Sequence, residues 1–159
     1  MTAANTALTI STDMLMLKNI ADKDIPQLKK YYFKNKSNFE IAEIIKEFQN
    51  KEYKGKYFEM FGIYSSDLLV GLVSLYQHNS FAVSAGPEIF EPYRKMGYGY
   101  EAMVKAYEIA KAKGYKLASV QIKKDNIASI KLHEKLGFEL ESELINKKGN
   151  EVYVYQKLL

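Results

Sequence analysis

Pro92-Tyr93-Arg94-Lys95-Met96-Gly97-Tyr98-Gly99-Tyr100-Glu101-Ala102 joins an apolar, strand-like run at residues 81–90 to a helical pattern that begins at Gly99. Met103, Ala106, Tyr107 and Ala110 recur there at i, i+3, i+4 and i+7, the spacing of one helix face. Two glycines at i and i+2 let the backbone turn tightly and approach a ligand closely. The unpaired N–H groups of a helix's first turn, with the positive end of its dipole, suit a phosphate. Arg94 and Lys95 beside them add charge-assisted hydrogen bonds. A lone Gly-x-Gly is as readily an ordinary turn between strand and helix, so the rest of the chain has to decide.

Two nucleotide signatures contain such glycines. Walker A requires Gly-Lys-Ser/Thr after the second glycine, and Tyr100-Glu101 cannot hold Mg²⁺ that way. Gly97-x-Gly99-x-x-Ala102 satisfies the literal dinucleotide fingerprint, but there the first glycine closes an apolar strand near the start of a βαβαβ unit. Here residues 91–96 separate the strand from Gly97, three strands come first, and the next strand runs into Lys123-Lys124 with no acid at its end. The dinucleotide reading is weak.

Upstream, residues 8–20 read as a first strand. Asp22 and Asp24 before Pro26 start a helix through about Phe33. Ser37 with Glu40 forms a capping box for a second helix carrying Phe39, Ile41, Ile44, Ile45 and Phe48. Strand-like runs follow at 57–65, 68–77 and 81–90, the first two joined by Ser65-Ser66-Asp67. Downstream, the helix from Gly99 ends near Gly114 and residues 115–122 form a strand. Asp125 or Asn126 caps a helix to Leu136, stopped by Gly137. Residues 138–145 and 152–158 close a hairpin around Lys147-Lys148-Gly149-Asn150. The order β-α-α-β-β-β-α-β-α-β-β implies a mixed α/β (α+β) fold: a mostly antiparallel sheet of about seven strands, one parallel βαβ step and four flanking helices. With no repeat, low-complexity tract or linker, residues 1–159 read as a single domain.

Composition narrows the function. The 159 residues include no cysteine, which removes disulfides, thiolate nucleophiles and cysteine-bound clusters. Two histidines, His78 and His133, are too few and too far apart for a histidine-rich metal site, so no metal is expected. No apolar run reaches membrane-spanning length, and the start, Met1 to Ile10, lacks signal-peptide features; a cytoplasmic protein is expected. Residues 91–135 hold ten basic and five acidic side chains, a net charge of +5 against +4 for the whole chain. That segment invites an anionic partner. Twenty-two of the 23 basic residues are lysine, and the one arginine, Arg94, lies there. Nucleic acid is not favoured, because no recognised nucleic-acid motif accompanies the patch.

Taken together, these residues resemble the GNAT (general N-acetyltransferase) superfamily. Its acetyl-CoA signature, Arg/Gln-x-x-Gly-x-Gly/Ala, is matched by Arg94, Gly97 and Gly99. Further on, the family's Asn-x-x-Ala/Ser-x-x-Leu-x-x-Lys-x-Gly-Phe is matched by Asn126, Ser129, Leu132, Lys135, Gly137 and Phe138. The run Gly97 to Ala102 is similar to the branch with ribosomal-protein N-terminal and spermidine-type acetyltransferases. The resemblance implies an acetyl-CoA-dependent N-acetyltransferase whose backbone amides around Met96, Gly97, Tyr98, Gly99 and Tyr100, with Arg94 and Lys95, bind the CoA pyrophosphate. It also implies a pantetheine arm between strands 81–90 and 115–122, which splay apart, with Asn126 and Ser129 on the helix beyond. Pro87 fits, because proline cannot donate to a ladder and belongs at an edge or bulge.

Acetyl transfer from a thioester to an amine needs a base for the amine, a donor for the oxyanion, and preferably a proton for the departing thiolate. Glu88, in the strand before the glycine loop where related enzymes often carry a glutamate, is the candidate base; Glu91 is the alternative. For the acid, the family often has tyrosine after the motif's leucine, and this chain has His133. Asn126 and His133 are seven residues apart and so share a helix face. Tyr98 and Tyr100 are the less favoured donors. Tyr31, Tyr32, Phe33, Phe39 and His78 are candidates to line the acceptor side. The acceptor stays open among peptide N-terminus, polyamine, aminoglycoside and lysine side chain, as does a homodimer. A catalytically silent acyl-CoA-binding module on the same fold is the competing reading.

Overall fold

The computed structural model describes residues 15–159. Along the chain run β1 (Met16–Asn19), α1 (Ile25–Tyr31), α2 (Asn38–Phe48), β2 (Glu52–Tyr53), β3 (Lys56–Ser65), β4 (Leu68–Gln77), β5 (Ala82–Ile89), α3 (Tyr98–Ala112), β6 (Leu117–Lys123), α4 (Ile127–Lys135), β7 (Glu139–Ile145) and β8 (Glu151–Leu158), with short 3₁₀ turns at Asp22–Asp24 and Glu91–Tyr93. The order expected from periodicity is present, with the two-residue β2 added against β3. The part of the first predicted strand before residue 15 lies outside the described residues. Among those residues no helix is long and apolar enough to cross a membrane.

Local chemistry sets the element ends. The Ser37 hydroxyl accepts the Glu40 N–H and the Glu40 carboxylate accepts the Ser37 N–H, both at 3.1 Å, so α2 starts where the capping box puts it. The β3–β4 hairpin turns through Ser66 and Asp67, both left-handed (φ 48° and 66°), as a two-residue turn matching the strand twist requires. The Asn126 side chain accepts the Ser129 N–H at 3.2 Å and so caps α4, and Gly137, at φ 91°, ends it.

The sheet runs β1-β3-β4-β5-β6-β8-β7 and is antiparallel at every step except β5–β6. Nearly every side chain of β4 is apolar, which marks a strand covered on both faces. One cover is α3, whose fully buried Ala102, Ala106 and Ala110 let the helix lie close against Val73, Leu75 and Val83. The other comes from α1 and α2, where Leu28, Ile41 and Ile45 meet Leu69, Leu72 and Phe90. One buried carboxylate lies outside this scheme. Burial alone would raise the Glu59 carboxyl, but hydrogen bonds from Asn19 and Tyr57 and the Lys51 ammonium outweigh it and hold its pKa below the ordinary value.

The parallel step is incomplete. β5 and β6 pair at Ala82↔Leu117 and Val83↔Ala118 and then part. β5 stays paired to β4 from Gln77↔Val83 to Gly71↔Ile89, and β6 stays paired to β8 from Leu117↔Leu158 to Lys123↔Val152. Each strand keeps a full ladder on its outer side, so the gap between them costs only inner-side pairing.

Candidate active site

The gap is a cleft of about 760 Å³. Ser84 to Pro87 of β5 form one wall, Ser119 to Ile122 of β6 the other, and Ser129 and His133 of α4 also line it. His78 and Phe81 lie at its paired end. Because the strands are parallel, both leave the sheet at the open end, and the N-termini of α3 and α4 follow them there.

Register determines what β5 presents to the cleft. The Phe90 N–H donates to the Val70 carbonyl at 2.9 Å, which fixes the alternation of the ladder. Residues 84, 86 and 88 therefore bond to β4, while 83, 85, 87 and 89 turn their backbone groups away from it. The Ala85 N–H is taken by the Tyr107 hydroxyl at 3.0 Å, and Pro87 has no N–H to leave unpaired. The Ile89 carbonyl accepts from Arg94 Nε at 2.9 Å. What remains for a ligand is the Ile89 N–H with the Ala85 and Pro87 carbonyls. Tyr107 was legible as core from its spacing, but nothing in the sequence signals its hydroxyl's task. Burial pushes that phenol upward, so it stays neutral.

The glycine loop stands at the open end. Gly97, at φ 84°, is the N-cap of α3, and the first helical bond runs from the Glu101 N–H to the Gly97 carbonyl. The N–H groups of Tyr98, Gly99 and Tyr100 thus have no acceptor within the helix. Lys95 also turns left-handed (φ 64°), and Lys135 of α4 sets its ammonium 4.2 Å from the centre of the Tyr100 ring. Glu88 lies in β5 opposite Leu72, on the α1–α2 face, half-exposed, its carboxylate 3.2 Å from Arg94 Nη2. Of the acceptor-side candidates, Tyr31 stacks on Phe90 at 5.5 Å and packs with Phe33 into the core, whereas Tyr32 and Phe39 are exposed.

His133 is 5% exposed and sits edge-on to Phe138. Its Nδ1 is 2.8 Å from the Ser129 carbonyl, which can only accept, so this nitrogen carries the proton. Nε2 then holds a lone pair, buried and without a partner among the described residues. Burial lowers the ring's pKa below its ordinary 6.5, against a smaller opposing pull from the Ser129 carbonyl. Near neutrality Nε2 is therefore an acceptor and not a donor. The unfolded chain takes up the proton first as pH falls, so the stability arising here is complete above about pH 6.5 and declines below it. His133→Phe is expected to flatten part of that decline between pH 7.5 and 5.5, read as thermal midpoints. His78, whose pKa burial also lowers, contributes in the same direction. The same variant removes an unpaired acceptor and is expected to stay within about 1 kcal/mol of the parent at pH 7.5. A decline unchanged in the variant would refute the assignment.

A parallel pair opened inside an antiparallel sheet, with a glycine-capped helix at the opening, gives a mixed α/β fold with its cleft at the parallel step. Residues 12–139 match the family model described as the acetyltransferase (GNAT) domain, and the chain belongs to that family. Among solved structures it is similar to the Salmonella typhimurium acetyltransferase that modifies the N-terminal serine of ribosomal protein L7/L12, with 17% identity, TM-score 0.75 and coverage of 93% of this chain and 96% of that one. It is also similar to the Vibrio cholerae spermidine N-acetyltransferase in complex with CoA and spermine, with 17% identity, TM-score 0.70 and coverage of 91% and 95%. A third, a Salmonella typhimurium acetyltransferase with its cofactor acetyl-CoA, has 14% identity, TM-score 0.66 and coverage of 91% and 94%. A search of curated protein sequences found no match.

Proposed function

We propose that this protein transfers the acetyl group of acetyl-CoA to a primary amine by direct attack on the thioester. The observation that carries the reading is the unpaired inner edge of β5, which faces the cleft beside the free N–H groups of α3. In this reading the backbone amides from Met96 to Tyr100 and the Lys95 ammonium hold the pyrophosphate. The Ala85 and Pro87 carbonyls accept from the pantetheine amides, and Asn126 and Ser129 bound the arm from α4. The Ile89 N–H donates to the oxygen on which negative charge develops.

Glu88, the neighbouring residue, removes the proton from the attacking amine directly or through one water. The C–N bond forms, the C–S bond breaks, and the sulfur leaves with the electron pair. An ordinary thiol pKa of about 8.5 makes that departure feasible without a dedicated acid. His133 Nε2 accepts a hydrogen bond from the arm or its thiol, so its lone pair finds a partner when the cleft is filled. The acceptor is an amine of a small molecule or a protein N-terminus.

Free thiol released from acetyl-CoA, measured against peptide N-termini, polyamines, aminoglycosides and lysine side chains, tests the reading. Amine-dependent release is expected with at least one acceptor class. Tight CoA binding without release from any of them would favour the silent acyl-CoA-binding module.

A further inference from the structure

Arg94 is the one arginine among 23 basic residues, and it stands where the two halves of the site meet. Its main chain leads into the glycine loop, but its side chain turns back toward β5. Nε donates to the Ile89 carbonyl at 2.9 Å and Nη2 to the Glu88 carboxylate at 3.2 Å. That carbonyl lies on the edge of β5 that β6 has left. We infer that Arg94 is a positioning residue for Glu88, and that its guanidinium serves the acceptor side of the reaction instead of the CoA pyrophosphate. This rests on the reading of Glu88 as the base.

The argument is geometric. Both side chains are about half-exposed, and an ion pair of that kind contributes little stability by itself. What the guanidinium adds is a rigid link between two adjacent residues. One N–H is anchored to a backbone carbonyl, which does not move, and the planar fork then fixes where a second N–H meets the carboxylate. Unanchored, the glutamate side chain would sweep its rotamers at the end of the strand. Lysine carries its charge as a point on a flexible stem and cannot hold both acceptors at a set angle. In a chain otherwise basic only through lysine, this position is one where lysine would not serve. The loop's backbone N–H groups and Lys95 leave the pyrophosphate sufficiently bound without this side chain.

Arg94→Lys separates the possibilities, because it keeps the charge beside the loop and loses the fork. Using the acceptor that gives the greatest thiol release, kcat is expected to fall about 10- to 100-fold, the scale of a misplaced reacting group. The KM for amine and the Kd for CoA should each change by less than about threefold, the latter also reporting an intact fold. With Glu88 already replaced by Gln, Arg94→Lys should have no further effect on kcat, since the residue acts through that carboxylate. An Arg94→Lys enzyme with the parent kcat, while Glu88→Gln is slow, overturns the positioning role and leaves the base reading standing. Parent kcat with CoA binding weakened tenfold in Arg94→Gln assigns the side chain to pyrophosphate and likewise overturns it. Glu88→Gln at the parent rate overturns both readings together.

Discussion

Glu88→Gln is expected to lower turnover at neutral pH by about 10²- to 10⁴-fold, the range that general-base catalysis commands. Glutamine keeps the shape and still accepts a hydrogen bond from Arg94, so the end of β5 should hold its geometry. It cannot take a proton from the amine. Glu88 faces the α1–α2 side of the sheet, whereas the free groups of the glycine loop belong to the start of α3. CoA affinity should therefore change little, and the defect should appear in the chemical step under single-turnover conditions. A loss below about threefold would make Glu88 structural. Glu91, exposed in the 3₁₀ turn that follows, or a water chain would then supply the base.

Gly99→Asp is expected to abolish the stabilisation that acetyl-CoA gives the parent. At about 100 times its dissociation constant a ligand adds roughly 2.7 kcal/mol. For a chain of this size that is about 5–10 °C in the thermal midpoint. The two loop glycines differ in what requires them. Gly97, at φ 84°, is required by the backbone itself, so replacing it would confound fold with ligand. A Cβ at Gly99 would meet only Ile89 Cγ1 at 3.8 Å, an ordinary contact, and its backbone is not left-handed. A carboxylate in the first turn of α3 also suits the helix dipole, so the unliganded variant should be at least as stable as the parent. Its charge repels the pyrophosphate where the parent offers an N–H. An unchanged ligand-induced shift in Gly99→Asp would place the phosphate elsewhere.

Much of the framework was legible because it is written locally. The capping box at Ser37 and Glu40, the cap at Asn126, the stop at Gly137 and the glycine turn before α3 each depend on residues within a turn of one another. Period-two and helical spacing set the element types, and the Arg94–Gly99 and Asn126–Phe138 motifs carried the family. The glycine turn at the N-terminus of α3 was legible because a helix start is itself a local event.

The chemistry inside the cleft had no such local signature. Pro87 pointed to lost pairing, but its harmlessness comes from the register with β4, which turns residue 87 toward the side that β6 has left. The Ala85 N–H is capped by a hydroxyl 22 residues away, and Tyr107 reads from sequence as one more apolar helix position. Sequence marked Arg94 as a phosphate ligand by its place in the loop; its side chain joins Glu88 and Ile89, because a long side chain is free to turn to either side of its backbone. His133 was readable as a proton donor from residue type and helix face. The Ser129 carbonyl and the burial around the ring leave a lone pair on Nε2 instead. Residue type and spacing determined the helices, the strands and the glycine turn before α3; side-chain direction, hydrogen-bond phase and protonation depend on neighbours that only the folded sheet brings together.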